Sequence, residues 1–142
     1  MHLYDDLLIE PAIDLVDLGA NGTVDGNDHD VSASGFGFTD VLCYIDVGLW
    51  TDGTHTFKLQ DAPDDDGSAG TYADIPAERQ VGGASVVVDS ADDDNTQLVI
   101  GAIVGAGRPW VRVSVTSASV TTGLADVTAH MIMGGATARP VR

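Results

Sequence analysis

Carboxylates are the side chains most able to do chemistry in this sequence, because 20 Asp and two Glu stand against one Lys and five Arg. Two runs of three consecutive Asp could hold a cation, since hard cations such as Ca²⁺ take carboxylate oxygens as ligands. A solvated loop screened by salt is the simpler interpretation of such runs. We therefore predict no resident metal and no cofactor, and keep six residues as weak metal candidates: Asp64, Asp65, Asp66, Asp92, Asp93 and Asp94.

Two further motifs begin like ligand sites and then depart from the pattern. The segment that starts at Asp25 is similar to a calcium loop, but Asp30 and Phe36 stand where an EF-hand loop needs Gly and Glu. The segment 105–110 begins like a dinucleotide-binding loop, but Trp110 replaces the third Gly and a predicted strand follows. We therefore predict neither kind of site.

The histidines and the single cysteine do not form a catalytic pattern. His55 lies on the apolar face of a predicted strand, where a hydrogen-bonded core histidine is the expected role. Cys43 stands between Val41 and Ile45, which favours a small buried hydrophobe. A Cys–His pair stays open from the residues alone, but no third group that would orient it is visible. We predict that the protein is not an enzyme.

The net charge of −16 restricts the classes of partner. Nucleic acids and anionic membrane surfaces both bind clustered Lys and Arg, which this chain lacks, so we predict neither partner. Because 44% of the residues are hydrophobic, the chain should fold around an apolar core under an acidic surface. Repulsion among the surface acids is relieved by concentrated salt, so the composition indicates a halophilic setting.

Hydrophobic residues alternate with polar ones along much of the chain, which is the pattern of half-buried strands. Two continuous apolar runs, 86–88 and 98–104, fit strands that are buried on both faces or that lie at a subunit contact. Turn-forming Gly, Asn and Asp residues separate these segments. The alternating segments are 41–47, 54–61, 110–116 and 124–133.

About eight short strands in one domain predict an all-β fold, a two-sheet antiparallel β-sandwich of jelly-roll type with extended terminal arms. Asp52-Gly53 lies between two predicted strands and favours a tight hairpin. We divide the chain into an N-terminal arm or first strand over 1–18, the sandwich domain over 19–136, and a C-terminal tail over 137–142.

Four residues are candidates for contacts with other chains. Trp50 and Trp110 lie at strand–loop boundaries, where exposed aromatics often mark interfaces, although either could cap the domain's own core. Arg139 and Arg142 place two of the six bases in the last four residues. Such a tail could dock on an acidic neighbour, and the alternative is a frayed chain end.

Three segments carry a resemblance to a known class of proteins. The first is VGLWTDGTHTFKLQ (47–60), which is followed by an Asp-rich loop (61–70) and by TYADI (71–75). The second is RPWVRV (108–113), and the third is a strand that ends in MGGA (133–136). In order and spacing, over about residues 20–136, they resemble the small structural proteins of tailed viruses that decorate or stabilise the capsid.

The resemblance implies a virion protein at the capsid surface, with a β-sandwich fold and no catalytic residues to carry over. Its implied partners are the major capsid protein and further copies of itself, with a trimer favoured. The acid load departs from the resemblance and fits a virus of a halophilic archaeon. Two alternatives stay open: a turret, vertex or tail-associated virion protein, and a β-sandwich that binds host glycans through Trp50 and Trp110.

Overall fold

The computed structural model describes residues 7–32, 37–82 and 85–135, which form an almost entirely β structure. These ranges contain thirteen strands, of which eight are at least three residues long, and two short 3-10 helices, Ala77–Arg79 and Ala91–Asp93. The strands are β1 Leu8–Leu18, β2 Gly22–Asp25, β3 His29–Asp30, β4 Asp40–Asp46, β5 Thr54–Ala62, β6 Asp64–Asp65, β7 Ser68–Ala69, β8 Ala73–Asp74, β9 Gln80–Val81, β10 Val86–Val88, β11 Gln97–Ile103, β12 Trp110–Ala118 and β13 Leu124–Gly134.

Two antiparallel sheets face each other, as the sequence predicts for a β-sandwich. The first sheet has the strand order β1-β13-β4-β11-β9. The second has the order β10-β5-β12-β2, with β3 also paired to β12 and β8 to β5. Strands β6 and β7 form a separate small hairpin. Each alternating segment of the sequence lies in a strand, because period-two alternation places one face of each strand in the core.

Consecutive long strands usually belong to different sheets. Only the connection from β5 to β10 returns to the sheet that it leaves. When the eight longer strands are counted in chain order, the first sheet contains the first, eighth, third and sixth of them. The second sheet contains the fifth, fourth, seventh and second.

The core lies between the two sheets and takes alternate residues from β4, β5, β12 and β13. Val41, Cys43 and Ile45 of β4 are buried, as are Phe57 and Leu59 of β5. Full burial of a side chain of this size stabilises the fold by about 1.5–3 kcal/mol. The prediction of Cys43 as a buried hydrophobe is confirmed, and burial raises the pKa of its thiol to about 12.

The predicted hairpin at Asp52-Gly53 is wrong. Strands β4 and β5 belong to different sheets, so the segment between them crosses the sandwich. Asp52 has a different structural role. Its carboxylate accepts hydrogen bonds from the backbone N–H groups of Thr121, Thr122 and Gly123. A local turn signal could not reveal that requirement, since its partners lie about 70 positions along the chain.

For residues 1–18 the sequence allows either an N-terminal arm or a first strand. Residues Leu8–Leu18 form an edge strand of the first sheet, paired with β13 from Leu8↔Met133 to Leu18↔Leu124. Ala12, Ile13 and Leu18 on this strand are buried in the core. The C-terminal tail, with Arg139 and Arg142, lies outside the described residues.

Candidate interaction surface

The two Asp runs lie on different elements and serve as hydrogen-bond acceptors. The Asp64 carboxylate accepts from the Trp110 indole N–H at 3.0 Å and from the Gly67 backbone N–H at 3.2 Å. The Asp94 carboxylate accepts from the Trp50 backbone N–H at 2.7 Å. Among residues 7–32, 37–82 and 85–135, the structure brings together no group of three His, Cys, Asp or Glu that could hold a metal ion.

Trp50 and Trp110 lie at opposite ends of β5. Trp50 precedes this strand and packs against the core, and its indole N–H donates to the Gly53 carbonyl at 2.9 Å. Trp110 pairs with Ala62, at the far end of β5. Both tryptophans are half-buried. Because they lie at opposite ends of β5, the two rings do not form one continuous surface.

Two histidines are buried in hydrogen-bonded positions. The prediction for His55 is confirmed, because its Nδ1 lies 2.9 Å from Ser117 Oγ and its Nε2 lies 3.1 Å from the Asp52 carbonyl. His29 was not singled out by its sequence position. Its Nδ1 lies 2.8 Å from a Glu10 carboxylate oxygen, which ties β3 to β1. That pairing depends on contact between strands from opposite sheets, which no local pattern records.

A buried ion cluster joins the end of β5, the 3-10 helix Ala77–Arg79 and the β11–β12 loop at one end of the sandwich. Asp61 at the end of β5 is 2% exposed, and its carboxylate binds the Arg79 guanidinium at 2.7 Å. The Arg108 side chain binds the same carboxylate and also donates to the Asp61 carbonyl at 2.7 Å. Gly105 leaves room for this arrangement, because a Cβ there would lie 2.5 Å from a guanidinium nitrogen of Arg79. Sequence reasoning missed the cluster, although Arg108 stands in a motif that it examined.

The outer face of the second sheet is polar and internally paired. Arg112 binds Asp25 at 3.1 Å, donates to the Gln60 amide oxygen at 3.0 Å, and stacks 4.0 Å above the centre of the Tyr72 ring. Burial, together with its hydrogen bond to Asp28, raises the pKa of the Tyr72 hydroxyl. This face therefore satisfies its own polar groups.

Lys58 extends the same network toward β8. Its ammonium group donates to Asp74 at 2.9 Å, and the Gln60 amide donates to the other oxygen of that carboxylate at 2.9 Å. The Gln60 and Lys58 hydrogen bonds lower the pKa of Asp74. Every base in the described ranges is thus in an ion pair: Lys58, Arg79, Arg108 and Arg112.

The outer face of the first sheet instead carries a row of apolar side chains. Pairing places Ile9 beside Ile132, Ile132 beside Leu42, Leu42 beside Gly101, and Gly101 beside Val81. This row crosses all five strands, and both of its end residues, Ile9 and Val81, are 60% exposed. We call it, with Val99 and Ile103 of β11, the apolar face.

A shallow groove runs along the apolar face. Its volume is about 510 Å³, and its walls include Leu7, Leu42, Val81, Val99 and Ile132. Contiguous exposed apolar surface on a soluble protein commonly marks a contact with another molecule. The sequence gives a partial indication of this surface, because the apolar run 98–104 fits either a strand that is buried on both faces or a subunit contact. The row itself became visible only with the strand register.

Two carboxylates stand at the ends of the outward row of β4. Along this strand, Asp40, Leu42, Tyr44 and Asp46 alternate with the buried residues and so share the outward side. Asp40 accepts a hydrogen bond from the Thr39 hydroxyl at 2.7 Å, and Asp46 accepts one from the Gln97 amide at 3.0 Å. Neither carboxylate is ion-paired to a base in the described part of the chain. The apolar face therefore has acidic margins.

Asp52 is the described carboxylate with the most backbone donors. Backbone N–H groups at Thr121, Thr122 and Gly123 lie 2.9–3.1 Å from its oxygens. The hydrogen bond from Thr121 is the largest cause of a pKa that lies below the usual 3.8. Hydrogen bonds of this kind favour the ionised form, so the carboxylate helps to hold the β12–β13 connection against the end of β5.

Asp52→Asn is expected to lower the melting temperature at neutral pH, with a deficit that disappears in acid. A carboxyl whose pKa is lowered by folding stabilises the folded state above its unfolded pKa, and this contribution is lost as the pH falls through the folded pKa. For Asp52, the loss occurs below pH 3.8. Melting curves from pH 7 to pH 2 measure it. Asp65→Asn, an exposed position with the same charge change, is the control, and a deficit independent of pH would contradict the assignment.

No family model matches the chain, and no curated protein sequence matches it. Within the described ranges, no helix is long and apolar enough to span a membrane.

Proposed function

We propose that the protein is a virion structural protein, a decoration subunit that binds the outer face of a major capsid protein shell and stabilises it. The observation that supports this most is the apolar face on a body whose chain carries a net charge of −16. A charged coat keeps a protein soluble, so an exposed apolar row across five strands needs a partner. The resemblance of residues 20–136 to capsid-decorating proteins supplies the class of assembly in which that face is covered.

The architecture suits a mechanical role. Two packed sheets give a rigid body, and most long strands cross from one sheet to the other, which ties both layers into one unit. The order of the eight longer strands supports our assignment of the jelly-roll type, in which two four-stranded sheets share the chain in this way. A subunit of this kind stabilises a shell through many weak contacts that the symmetry of the particle repeats.

The acidic surface fits a capsid exposed to concentrated salt. At molar salt the Debye length is ~3 Å, so repulsion between neighbouring copies is weak beyond contact distance. Apolar contacts keep their strength under these conditions, because salts that are excluded from protein surfaces favour burial. We therefore propose that copies of the chain associate with each other, as a trimer, and that the apolar face takes part in that association.

Quantitative mass spectrometry of purified virus particles tests the proposal. We expect the chain in particles purified at high salt, at a copy number comparable to that of the major capsid protein. A much lower copy number would instead indicate a turret, vertex or tail protein, which is the alternative placement in the virion. Particles that lack the chain, from infected cells that contain it, would overturn the proposed function.

A further inference from the structure

The described chain ends next to the apolar face. Leu8 and Met133 are paired neighbours, and Gly134 lines the groove on this face. The Thr39 backbone N–H donates to the Gly134 carbonyl at 3.1 Å. The Thr39 hydroxyl, which donates to Asp40, lies 3.1 Å from the Gly135 carbonyl oxygen. These contacts fix the end of β13 beside Thr39, and Gly135, with φ +67°, turns the backbone there. The seven residues 136–142 therefore begin at the margin of the apolar face.

The composition of this tail complements the face. It contains Arg139, Val141 and Arg142, together with small residues and one Pro. The described ion pairs use four of the six bases, and the tail carries the other two. The face offers apolar side chains between the carboxylates Asp40 and Asp46. A short apolar and basic segment therefore matches both its hydrophobic and its electrostatic character.

A second copy of the same face is a poorer occupant. The whole chain carries −16 and the two tail arginines contribute +2, so the remainder carries −16 − 2 = −18. Symmetric stacking of two apolar faces would bring their acidic margins together, and like charges across an interface oppose association. The tail brings the opposite charge to the same surface.

The tail is long enough to cross the face of a neighbouring chain. Seven residues can span up to ~23 Å at ~3.3 Å each. The distance from β13 to β9 is three strand spacings, or ~14 Å. Because the end of β13 lies at the margin of the face, a tail of this length can leave its own body there and cross the face of an adjoining copy.

We propose that the C-terminal tail of one copy, residues 136–142, docks on the apolar face of a second copy. Val141 contacts the apolar row, and Arg139 and Arg142 pair with acids at its margin. The inference rests on the homo-oligomer that forms part of the proposed function. Tail and face are different surfaces, so the contact is head-to-tail, and such contacts close into rings such as a trimer.

A complementation experiment in solution tests the docking. One variant lacks residues 136–142 and keeps the face, and the other carries Val99→Asp on the face and keeps the tail. We expect the full chain to be oligomeric in light scattering at high salt, and each variant alone to be monomeric. Their mixture should form a heterodimer of about twice 14.7 kDa, because one partner supplies the tail and the other the face.

Two controls separate docking from loss of folding. Thr116→Asp adds the same charge to the exposed outer side of β12 in the second sheet and should leave the oligomer unchanged. The double substitution Arg139→Gln and Arg142→Gln, which lies outside the described body, should weaken the oligomer by tenfold or more in dissociation constant. Circular dichroism of every variant should retain the strand signal of the full chain.

Three results would overturn the docking. The truncated chain could stay oligomeric, the mixture could stay monomeric, or the full chain could be monomeric and bind an apolar dye only after truncation. The last result would mean that the tail covers its own face. These outcomes concern purified chains and leave the virion proposal standing if particles contain the protein. Conversely, if the mixed variants form the heterodimer but purified particles lack the chain, only the virion role is refuted.

Discussion

Asp61→Asn is expected to lower the free energy of unfolding by about 2–3 kcal/mol. The substitution keeps the shape of the side chain and removes the charge that the Arg79 and Arg108 guanidinium groups share. Breaking a buried ion pair by removal of one partner costs about 3–5 kcal/mol. We expect the lower part of that range or less, because both arginine side chains keep some access to water, with 24% and 31% exposure.

Thermal melting measures this loss against a matched control. For a domain of this size, each kcal/mol shifts the melting temperature by roughly 3 °C, so Asp61→Asn should lower it by roughly 6–9 °C. Asp74→Asn removes the same charge from the exposed pair with Lys58 and should change stability by at most about 1 kcal/mol. Equal shifts for the two variants would mean that the buried cluster contributes no more than a surface pair.

Gly123→Ala is expected to destabilise the fold by more than about 3 kcal/mol. Gly123 has φ +92°, which non-glycine residues adopt at a cost of about 1–3 kcal/mol. A Cβ at this position would lie 1.9 Å from the Leu18 carbonyl oxygen. The obstacle is backbone, so β1 would have to shift away from β13, and the hydrogen bond from Gly123 to Asp52 would shift with it.

Gly67→Ala separates the steric clash from the backbone conformation. Gly67 has a similar φ of +84°, but a Cβ there would meet nothing within 4 Å. Gly67→Ala should therefore lower the free energy of unfolding by about 1 kcal/mol, which is the penalty of the left-handed backbone conformation alone. The measurement is the midpoint of urea unfolding, which should fall further for Gly123→Ala than for Gly67→Ala. If Gly123→Ala is insoluble while Gly67→Ala is soluble, that result also indicates the larger loss of stability. Similar midpoints for both variants would show that the clash is relieved at little cost.

The candidate interaction surface shows how far single-strand patterns reach. The alternation in β4 and β5 predicted which residues face the core, and burial of Cys43 and His55 followed from it. It did not reveal that Ile9, Leu42 and Val81 form one row, because each lies on a different strand. The register between strands depends on hydrogen bonds across the sheet, which no local period encodes.

The same limit explains the ion cluster and the wrong hairpin. Arg108 and Asp61 are 47 positions apart, and they meet only because β12 pairs with β5. Asp52-Gly53 had the residues of a tight hairpin, but the backbone donors of the β12–β13 connection gave its carboxylate another role. In both cases a polar side chain serves a distant segment, and local propensity is silent about such partners.

By itself, the sequence determined the all-β class, the positions of the main strands, the apolar core and the acidic surface. Those properties follow from composition and from the period of two, which each segment carries within itself. The tertiary structure decided which strands pair and with which acids the described bases form ion pairs. It also decided that one outer face is polar while the other carries an apolar row. These depend on packing between segments far apart in the chain, so they exist only once the sheets have formed.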